Sequence, residues 1–145
     1  MIIRDFRLSD LDDVLRIEFN EFKDPYPVDI LVQLYNCGAG FLVAEVAQKI
    51  IGYIIFWIKD GFGHIIVIAV DHNYQSMHIG SVLLEKALYL FKRNNIGVVR
   101  LEVRKSNIRA IKFYQKNGFI KIAEEDNYYA DYESAIIMQY SNPNS

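Results

Sequence analysis

Residues 64–91, HIIVIAVDHNYQSMHIGSVLLEKALYLF, pass from one hydrophobic pattern to another across a short polar turn. Up to Val70 the stretch is an unbroken run rich in Ile and Val, which is typical of a buried strand. From Ile79 the apolar residues recur at helical spacing as far as Phe91, and the cations that follow favour a helix C-terminus. The stretch therefore predicts a strand that runs through a turn directly into a helix.

The rest of the chain shows the same two patterns, with turn residues between them. Ser9, three residues before Asp12, has the spacing of a capping box for a first helix, which Pro25 and Pro27 end. A second helix is predicted over Val28–Cys37 and a third after the turn, with a fourth over Asn107–Lys116. The predicted strands are Ile2–Phe6, Phe41–Val46, Ile50–Lys59, His64–Val70, Val98–Arg104, Phe119–Glu124 and Glu133–Tyr140. This order implies an α/β fold, a mixed sheet with helices on both faces.

Size and composition predict a single domain. The chain has 145 residues, of which 52% are apolar and 23% charged, enough for one core and too few for two. We expect a domain over residues 1–140 and a frayed tail over 141–145.

Charge and hydrophobicity argue against several kinds of partner. A net charge of −2 argues against a nucleic-acid partner. The apolar runs are too short to cross a membrane, and the N-terminus does not have the pattern of a secretory signal. Cys37 cannot form an internal disulfide, which favours the cytoplasm, and it is expected to be a small buried side chain.

The turn in the opening stretch has the features of a phosphate site. A helix that starts directly after a turn presents unpaired backbone N–H groups, and these together with the helix dipole attract anions. Gly80 and Ser81 would allow a diphosphate to approach the backbone closely. An equal alternative is that Gly80 serves only close helix packing.

The same segment, IAVDHNYQSMHIGSVLL, resembles the acetyl-CoA-binding segment of the GCN5-related N-acetyltransferase (GNAT) superfamily. Gln75 and Gly80 match the family pattern, and His78 replaces its first glycine. A histidine can adopt helical angles here, and its ring would face either solvent or, if protonated, a phosphate. The resemblance implies the GNAT fold, with a mostly antiparallel sheet of about seven strands, and acetyl-CoA as co-substrate. It also implies cofactor contacts from Ile68, Val70, Gln75, Ser76, Met77, His78, Ile79, Gly80 and Ser81.

The resemblance extends to the second half of the chain. The run RLEVRKSNIRAIKFYQKNGFIKI and the later NYYADYESAIIM are similar to RimI-type and archaeal N-terminal acetyltransferases, and FKDPYP and GYIIFWI fit the same group. The resemblance implies a protein N-terminus as acceptor. In this reading the Val70 N–H donates to the thioester carbonyl, while the Val70 side chain belongs to the core.

Glu102 is the candidate base. It lies between Leu101 and Val103 in a predicted strand, so alternation turns its carboxylate away from their shared face. One interpretation is an ion pair with Arg100, Arg104 or a lysine on a neighbouring strand. The other, which the resemblance implies, is a catalytic base that acts directly or through water on an α-amine with a pKa of about 8.

Tyr114 and Asn107 belong to the predicted fourth helix. The resemblance implies that Tyr114 protonates the departing CoA sulfur, whereas helical spacing alone would make it a core aromatic. Asn107 resembles the residue that orients the cofactor arm, and it could equally be a helix cap.

Three tyrosines in predicted loops, Tyr26, Tyr128 and Tyr129, form a candidate peptide-binding rim, with packing as the equal alternative. FKDPYP and NYYADY would form opposite walls of an acceptor slot. The histidines, His64, His72 and His78, show no ligand spacing with Cys37, so no metal site is predicted.

The function expected from these residues is acetyl transfer to protein N-termini. A small-molecule amine or lysine acetyltransferase remains an alternative, as does an acyl-CoA-binding regulatory domain without turnover. We expect a monomer or a weak homodimer, although the sequence does not fix the oligomeric state.

Overall fold

The computed structural model describes residues 1–142 and contains seven strands and four α-helices in this part of the chain. Two short 3-10 helices, Leu8–Asp10 and His72–Tyr74, precede the first and third α-helices. In chain order the elements are β1 (Ile2–Asp5), α1 (Leu11–Glu21), α2 (Val28–Asn36), β2 (Gly40–Val46), β3 (Lys49–Lys59), β4 (Phe62–Val70), α3 (Ile79–Arg93), β5 (Val98–Arg104), α4 (Ile108–Lys116), β6 (Ile120–Glu125) and β7 (Ala135–Ser141).

The strands form one mixed sheet in the order β1-β2-β3-β4-β5-β7-β6. Antiparallel pairs join β1 to β2, β2 to β3, β5 to β7, and β6 to β7, while β4 and β5 run parallel. The long connection that contains α3 makes the parallel pair possible, because parallel neighbours require a crossover. The predicted fold class is therefore confirmed.

Backbone contacts divide the chain into two compact units. The first comprises Met1–Trp57 with Ile65–Leu90, and the second comprises Ile58–His64 with the chain from Phe91 onward. The single domain over residues 1–140 stays a prediction. Ser141 is the last residue of β7, and the Asn142 N–H donates to the Gly97 carbonyl at 2.7 Å. The remainder of the predicted tail lies outside the described residues.

The first unit has helices on both faces of its strands. Its main core joins α1 and α2 to one face of β2, β3 and β4, through Val14, Ile17, Leu31, Leu34, Phe41, Val43, Tyr53, Ile55, Val67 and Ala69. On the other face, a side chain added at Gly52 would meet Ile79 and Leu83 of α3. Glycine thus lets α3 approach β3 closely.

The second unit is built around β5 and β7. Val99, Leu101 and Val103 of β5 are buried on one face, and Met138 of β7 is completely buried. Phe119 is also buried, with its ring centroid 5.7 Å from that of Tyr114 and 5.6 Å from that of Tyr140. The apolar alternation of these strands supplies the core of this unit.

Two local predictions are wrong. Ser9 does not cap the first helix, because it lies inside the 3-10 helix and α1 begins only at Leu11. The Asp10 carboxylate instead accepts the Arg7 N–H at 2.8 Å and pairs with Arg4. Cys37, expected to be buried, is exposed, because it follows the last turn of α2. No helix within residues 1–142 is both long and apolar enough to cross a membrane.

Candidate active site

Glu102 lies on the polar face of β5. Residues along β5 alternate between buried and half-buried, and Glu102 shares its face with Arg100 and Arg104. The alternation predicted from the sequence is thus confirmed. The parallel register pairs His64 of β4 with Arg100, which brings the imidazole beside Glu102, one step further along the same face.

The carboxylate of Glu102 has two polar partners within the second unit. His64 Nε2 lies 2.7 Å from Glu102 Oε2, and the Tyr128 hydroxyl donates to Oε1 at 3.0 Å. Burial by itself raises the pKa of Glu102, but the hydrogen bond and charge of His64, the Tyr128 bond and the charge of Lys59 bring the pKa below its usual value. Glu102 is therefore ionised at neutral pH.

The ion pair proposed from the sequence has a different partner. Arg100 donates through Nε to the Gln139 side chain at 2.9 Å, and Arg104 pairs with Asp131 and Glu133. Glu102 pairs instead with His64 of β4.

The loop between β6 and β7 carries two of the predicted rim tyrosines. Tyr128 is exposed, whereas Tyr129 is half-buried, with the Arg104 guanidinium 4.1 Å from its ring centroid. Arg104 also contacts Asp131 and Glu133, so one side chain fixes this loop at three points. The two tyrosines therefore have different environments, and only Tyr128 fits the expectation of an exposed rim.

Tyr114 is half-buried on α4, between the rings of Phe113 and Phe119. Its pKa is raised, first by burial and second by the charge of Tyr129. The phenol is therefore protonated at neutral pH, which a proton donor requires. The aromatic neighbours also match the packing interpretation, so position alone does not separate the two roles.

Asn107 caps α4. Its side-chain oxygen accepts the Ala110 N–H at 3.1 Å, and the residue is exposed. The capping interpretation is confirmed. The amide NH₂ group takes no part in that bond and could still serve a cofactor.

The predicted cofactor segment lies in the first unit. Ile68 and Val70 are half-buried on the same side of β4, while Ala69 between them is buried. The Gln75 side-chain amide donates to the Val70 carbonyl at 3.1 Å and to Glu21 at 2.5 Å. Gln75 thus fixes the end of β4 and ties it to α1, a structural role that the sequence did not indicate.

The turn before α3 contains two residues in the left-handed region. Ser76 has φ +68° and His78 has φ +62°, so His78 does not adopt the helical angles that were considered for it. Such a φ disfavours residues with a Cβ, which explains physically why a glycine suits this position. Met77 and His78 are exposed, Ile79 is buried, and Gly80 and Ser81 are half-buried in the first turn of α3.

Tyr26, the third rim tyrosine, belongs to the first unit. Its side chain is exposed, and its backbone N–H donates to the Glu18 carboxylate at 3.0 Å. Tyr128 and Tyr129 belong to the second unit, so the predicted slot between the two loops stays a prediction.

Two polar residues were missed from the sequence. His64 was considered only as a metal ligand, and Glu18 was not considered. The alternation of β4 places His64 on the side of Ile68 and Val70, which was a usable signal. The contact between His64 and Glu102 could not be predicted, because it depends on the parallel register of β4 and β5, which the sequence pattern does not give.

Comparison with known proteins finds a match to the family model described as the acetyltransferase (GNAT) family over residues 8–119. An N-alpha-acetyltransferase of Sulfurisphaera tokodaii is 37% identical, over 94% of this chain and 90% of that protein. A putative [ribosomal protein bS18]-alanine N-acetyltransferase of Bacillus subtilis is 34% identical, over 94% of this chain and 92% of that protein. The crystal structure of Ard1 from Thermoplasma volcanium superposes with a TM-score of 0.92 at 33% identity, over 97% of each chain.

Proposed function

The chain belongs to the GNAT family of acetyl-CoA-dependent acyltransferases, and on that premise we propose that it acetylates the N-terminal α-amino group of proteins by direct attack in a ternary complex. The observation that carries the mechanism is the cluster of His64, Glu102 and Tyr128, in which an ionised carboxylate is held between an imidazole and a phenol. The similarity to an archaeal N-alpha-acetyltransferase and to a bacterial putative [ribosomal protein bS18]-alanine N-acetyltransferase supports the acceptor class.

Glu102 and His64 would act as the base. An α-ammonium group has a pKa of about 8, so a modest base is enough to remove its proton. Glu102 accepts the proton directly or through water, and His64 beside it can stabilise the carboxylate or pass the proton on. The α-amine nitrogen then attacks the thioester carbonyl carbon, and the Val70 N–H would donate to the developing oxyanion.

Tyr114 would complete the transfer. When the tetrahedral intermediate collapses, the carbon–sulfur bond breaks and the thiolate of CoA requires a proton. The phenol of Tyr114 is protonated at neutral pH, since its ordinary pKa is already well above neutral and burial raises its pKa further. It therefore has a proton to give.

The cofactor and acceptor would be bound by other residues. In this proposal the diphosphate of acetyl-CoA contacts the backbone of residues 77–81 at the start of α3, where the helix dipole favours an anion. Asn107 would orient the pantetheine arm with its remaining amide group. Tyr26, Tyr128 and Tyr129 would contact the first residues of the acceptor.

A peptide with both a free N-terminus and an internal lysine tests the acceptor. An α-amine arrives on a backbone whose N–H and C=O groups can be fixed by hydrogen bonds, whereas a lysine side chain is flexible, so we expect acetylation mainly at the α-amine. Fragment mass spectrometry after incubation with acetyl-CoA locates the acetyl group. The same peptide with a blocked N-terminus is the matched control.

Acetylation mainly on the lysine would contradict the acceptor and favour a lysine acetyltransferase. Absence of CoA release with any of a set of peptides, despite acetyl-CoA binding, would favour the regulatory domain without turnover.

A further inference from the structure

Glu18 is a buried carboxyl group that the proposed reaction does not use. It lies in the last turns of α1 and its exposed fraction is 1%. Burying a carboxylate is costly unless hydrogen bonds replace those lost with water. The burial of Glu18 therefore needs a structural explanation. Burial raises the pKa of Glu18 and the bonds from Tyr53 and Tyr26 lower it, with burial dominating.

Both oxygens of Glu18 are occupied, each by a different part of the first unit. The Tyr53 hydroxyl, completely buried on β3, donates to Oε1 at 2.5 Å. The backbone N–H of Tyr26 donates to Oε2 at 3.0 Å. The carboxyl group therefore joins the sheet to the connection between α1 and α2.

The hydrogen bond from Tyr26 to Glu18 lies in the middle of that connection. In residues 25–27 only Tyr26 has a backbone N–H, because both neighbours are prolines. The Pro27 carbonyl accepts the N–H groups of Ile30 and Leu31 at the start of α2. The segment is thus fixed at one end by α2 and in its middle by Glu18.

We infer that Glu18 is a positioning residue. Through its hydrogen bonds with the Tyr53 hydroxyl and the Tyr26 N–H, it holds residues 25–27 in the position in which Tyr26 contacts the acceptor. This inference rests on the proposed function, which assigns that contact to Tyr26. Glu18 touches neither the acceptor nor acetyl-CoA in this assignment. Its loss should therefore weaken acceptor binding while acetyl-CoA binding stays unchanged.

Two substitutions at position 18 separate hydrogen bonding from charge. Glu18→Leu has a similar volume but accepts no hydrogen bond, so the Tyr26 N–H and the buried Tyr53 hydroxyl both lose their hydrogen bond to position 18. Glu18→Gln removes the charge and keeps both bonds, because the amide oxygen can accept from Tyr26 while the NH₂ group donates to the Tyr53 hydroxyl. Asp12→Asn, at an exposed carboxylate of the same helix, is the matched control.

The expected results follow from the loss of a buried hydrogen bond. In Glu18→Leu the Tyr26 amide should exchange with solvent about tenfold faster, and KM for an N-terminal peptide should rise about tenfold. KM for acetyl-CoA should stay within about twofold. Glu18→Gln and Asp12→Asn should resemble the wild type in all three measurements.

If Glu18→Leu does not fold, Tyr53→Phe provides a second test. It removes one of the two hydrogen bonds to Glu18, so amide exchange and peptide KM should shift in the same direction by a smaller factor.

Several results would overturn the inference: unchanged Tyr26 exchange in folded Glu18→Leu, faster exchange with an unchanged peptide KM, or a Glu18→Gln enzyme as impaired as Glu18→Leu. Wild-type enzyme that leaves peptide N-termini unmodified would instead refute the proposed function, and with it the acceptor role. Amide exchange would then still decide whether Glu18 holds the segment.

Discussion

At the scale of single residues, Tyr114 has a pKa raised by burial and stays protonated at neutral pH. Tyr114→Phe removes only the hydroxyl and keeps the ring between Phe113 and Phe119. We expect kcat to fall by about 10² to 10⁴, the usual range for a positioned acid, with little change in acetyl-CoA affinity. Steady-state kinetics across the pH range measures this. Full turnover by the variant would mean that Tyr114 only packs.

The lowered pKa of Glu102 makes the stability of the fold depend on pH. A carboxyl whose pKa is lower in the folded state than in the unfolded chain stabilises the fold above its usual pKa of 4.5, and this contribution is lost as the pH falls through the folded-state pKa. Glu102→Gln should therefore unfold more easily than the wild type at neutral pH.

Denaturant titration of Glu102→Gln at several pH values measures this difference, which should shrink in acid. A difference that does not depend on pH would contradict the assignment of the lowered pKa to Glu102. Asp12→Asn, exposed on α1, provides the comparison for removing a carboxylate without close partners.

At the scale of elements, the turn into α3 holds His78 at φ +62°. A left-handed conformation costs an ordinary residue roughly 1–2 kcal/mol, so His78→Gly should raise the free energy of unfolding by about 1 kcal/mol. The control is His72→Gly in the same connection, where φ is not positive and glycine should destabilise by about 0.5–1 kcal/mol. Thermal and denaturant unfolding measure both. Destabilisation by His78→Gly would contradict this prediction. It would show that contacts of the histidine side chain stabilise the fold by more than the left-handed backbone conformation destabilises it.

The same turn offers a test of the proposed diphosphate site. Gly80 lies in the first turn of α3 and has no positive φ, so a leucine there can keep the helix while covering the backbone. Gly80→Leu should weaken acetyl-CoA binding at least about tenfold, the loss of roughly 1.4 kcal/mol, as measured by calorimetry. Glu85→Leu, on the exposed side of the helix, should bind normally. Equal affinity in Gly80→Leu would refute the site.

At the scale of the whole molecule, direct transfer requires both substrates to be bound at once. The only cysteine, Cys37, is exposed at the end of α2, outside every segment assigned to the cofactor. Cys37→Ala should therefore keep most of the activity, and initial rates should give intersecting rather than parallel double-reciprocal lines. Parallel lines, or an acetyl group trapped on Cys37, would indicate a covalent intermediate.

The sequence by itself determined the elements and the types of residue that face each side of them. The period of two in β5 places Glu102 opposite Leu101 and Val103, and the change of period after Val70 places α3, because each pattern depends only on neighbours along the chain. The signals for helix caps and burial were weaker. The prediction for Ser9 was wrong because local hydrogen bonds form a 3-10 helix there and α1 starts later. The prediction for Cys37 was wrong because its burial depends on where α2 ends.

Only the tertiary structure decided which polar groups meet. His64 and Glu102 are 38 positions apart in sequence, and Glu18 and Tyr53 are 35 apart. Each pair forms because the sheet order, the register and the helix packing bring distant residues together. A shift of one residue in strand register would turn His64 or Tyr53 to the opposite face of the sheet. Periodicity fixes the side on which a residue lies. Its partner depends on the register between elements, and therefore on the packing of the whole chain.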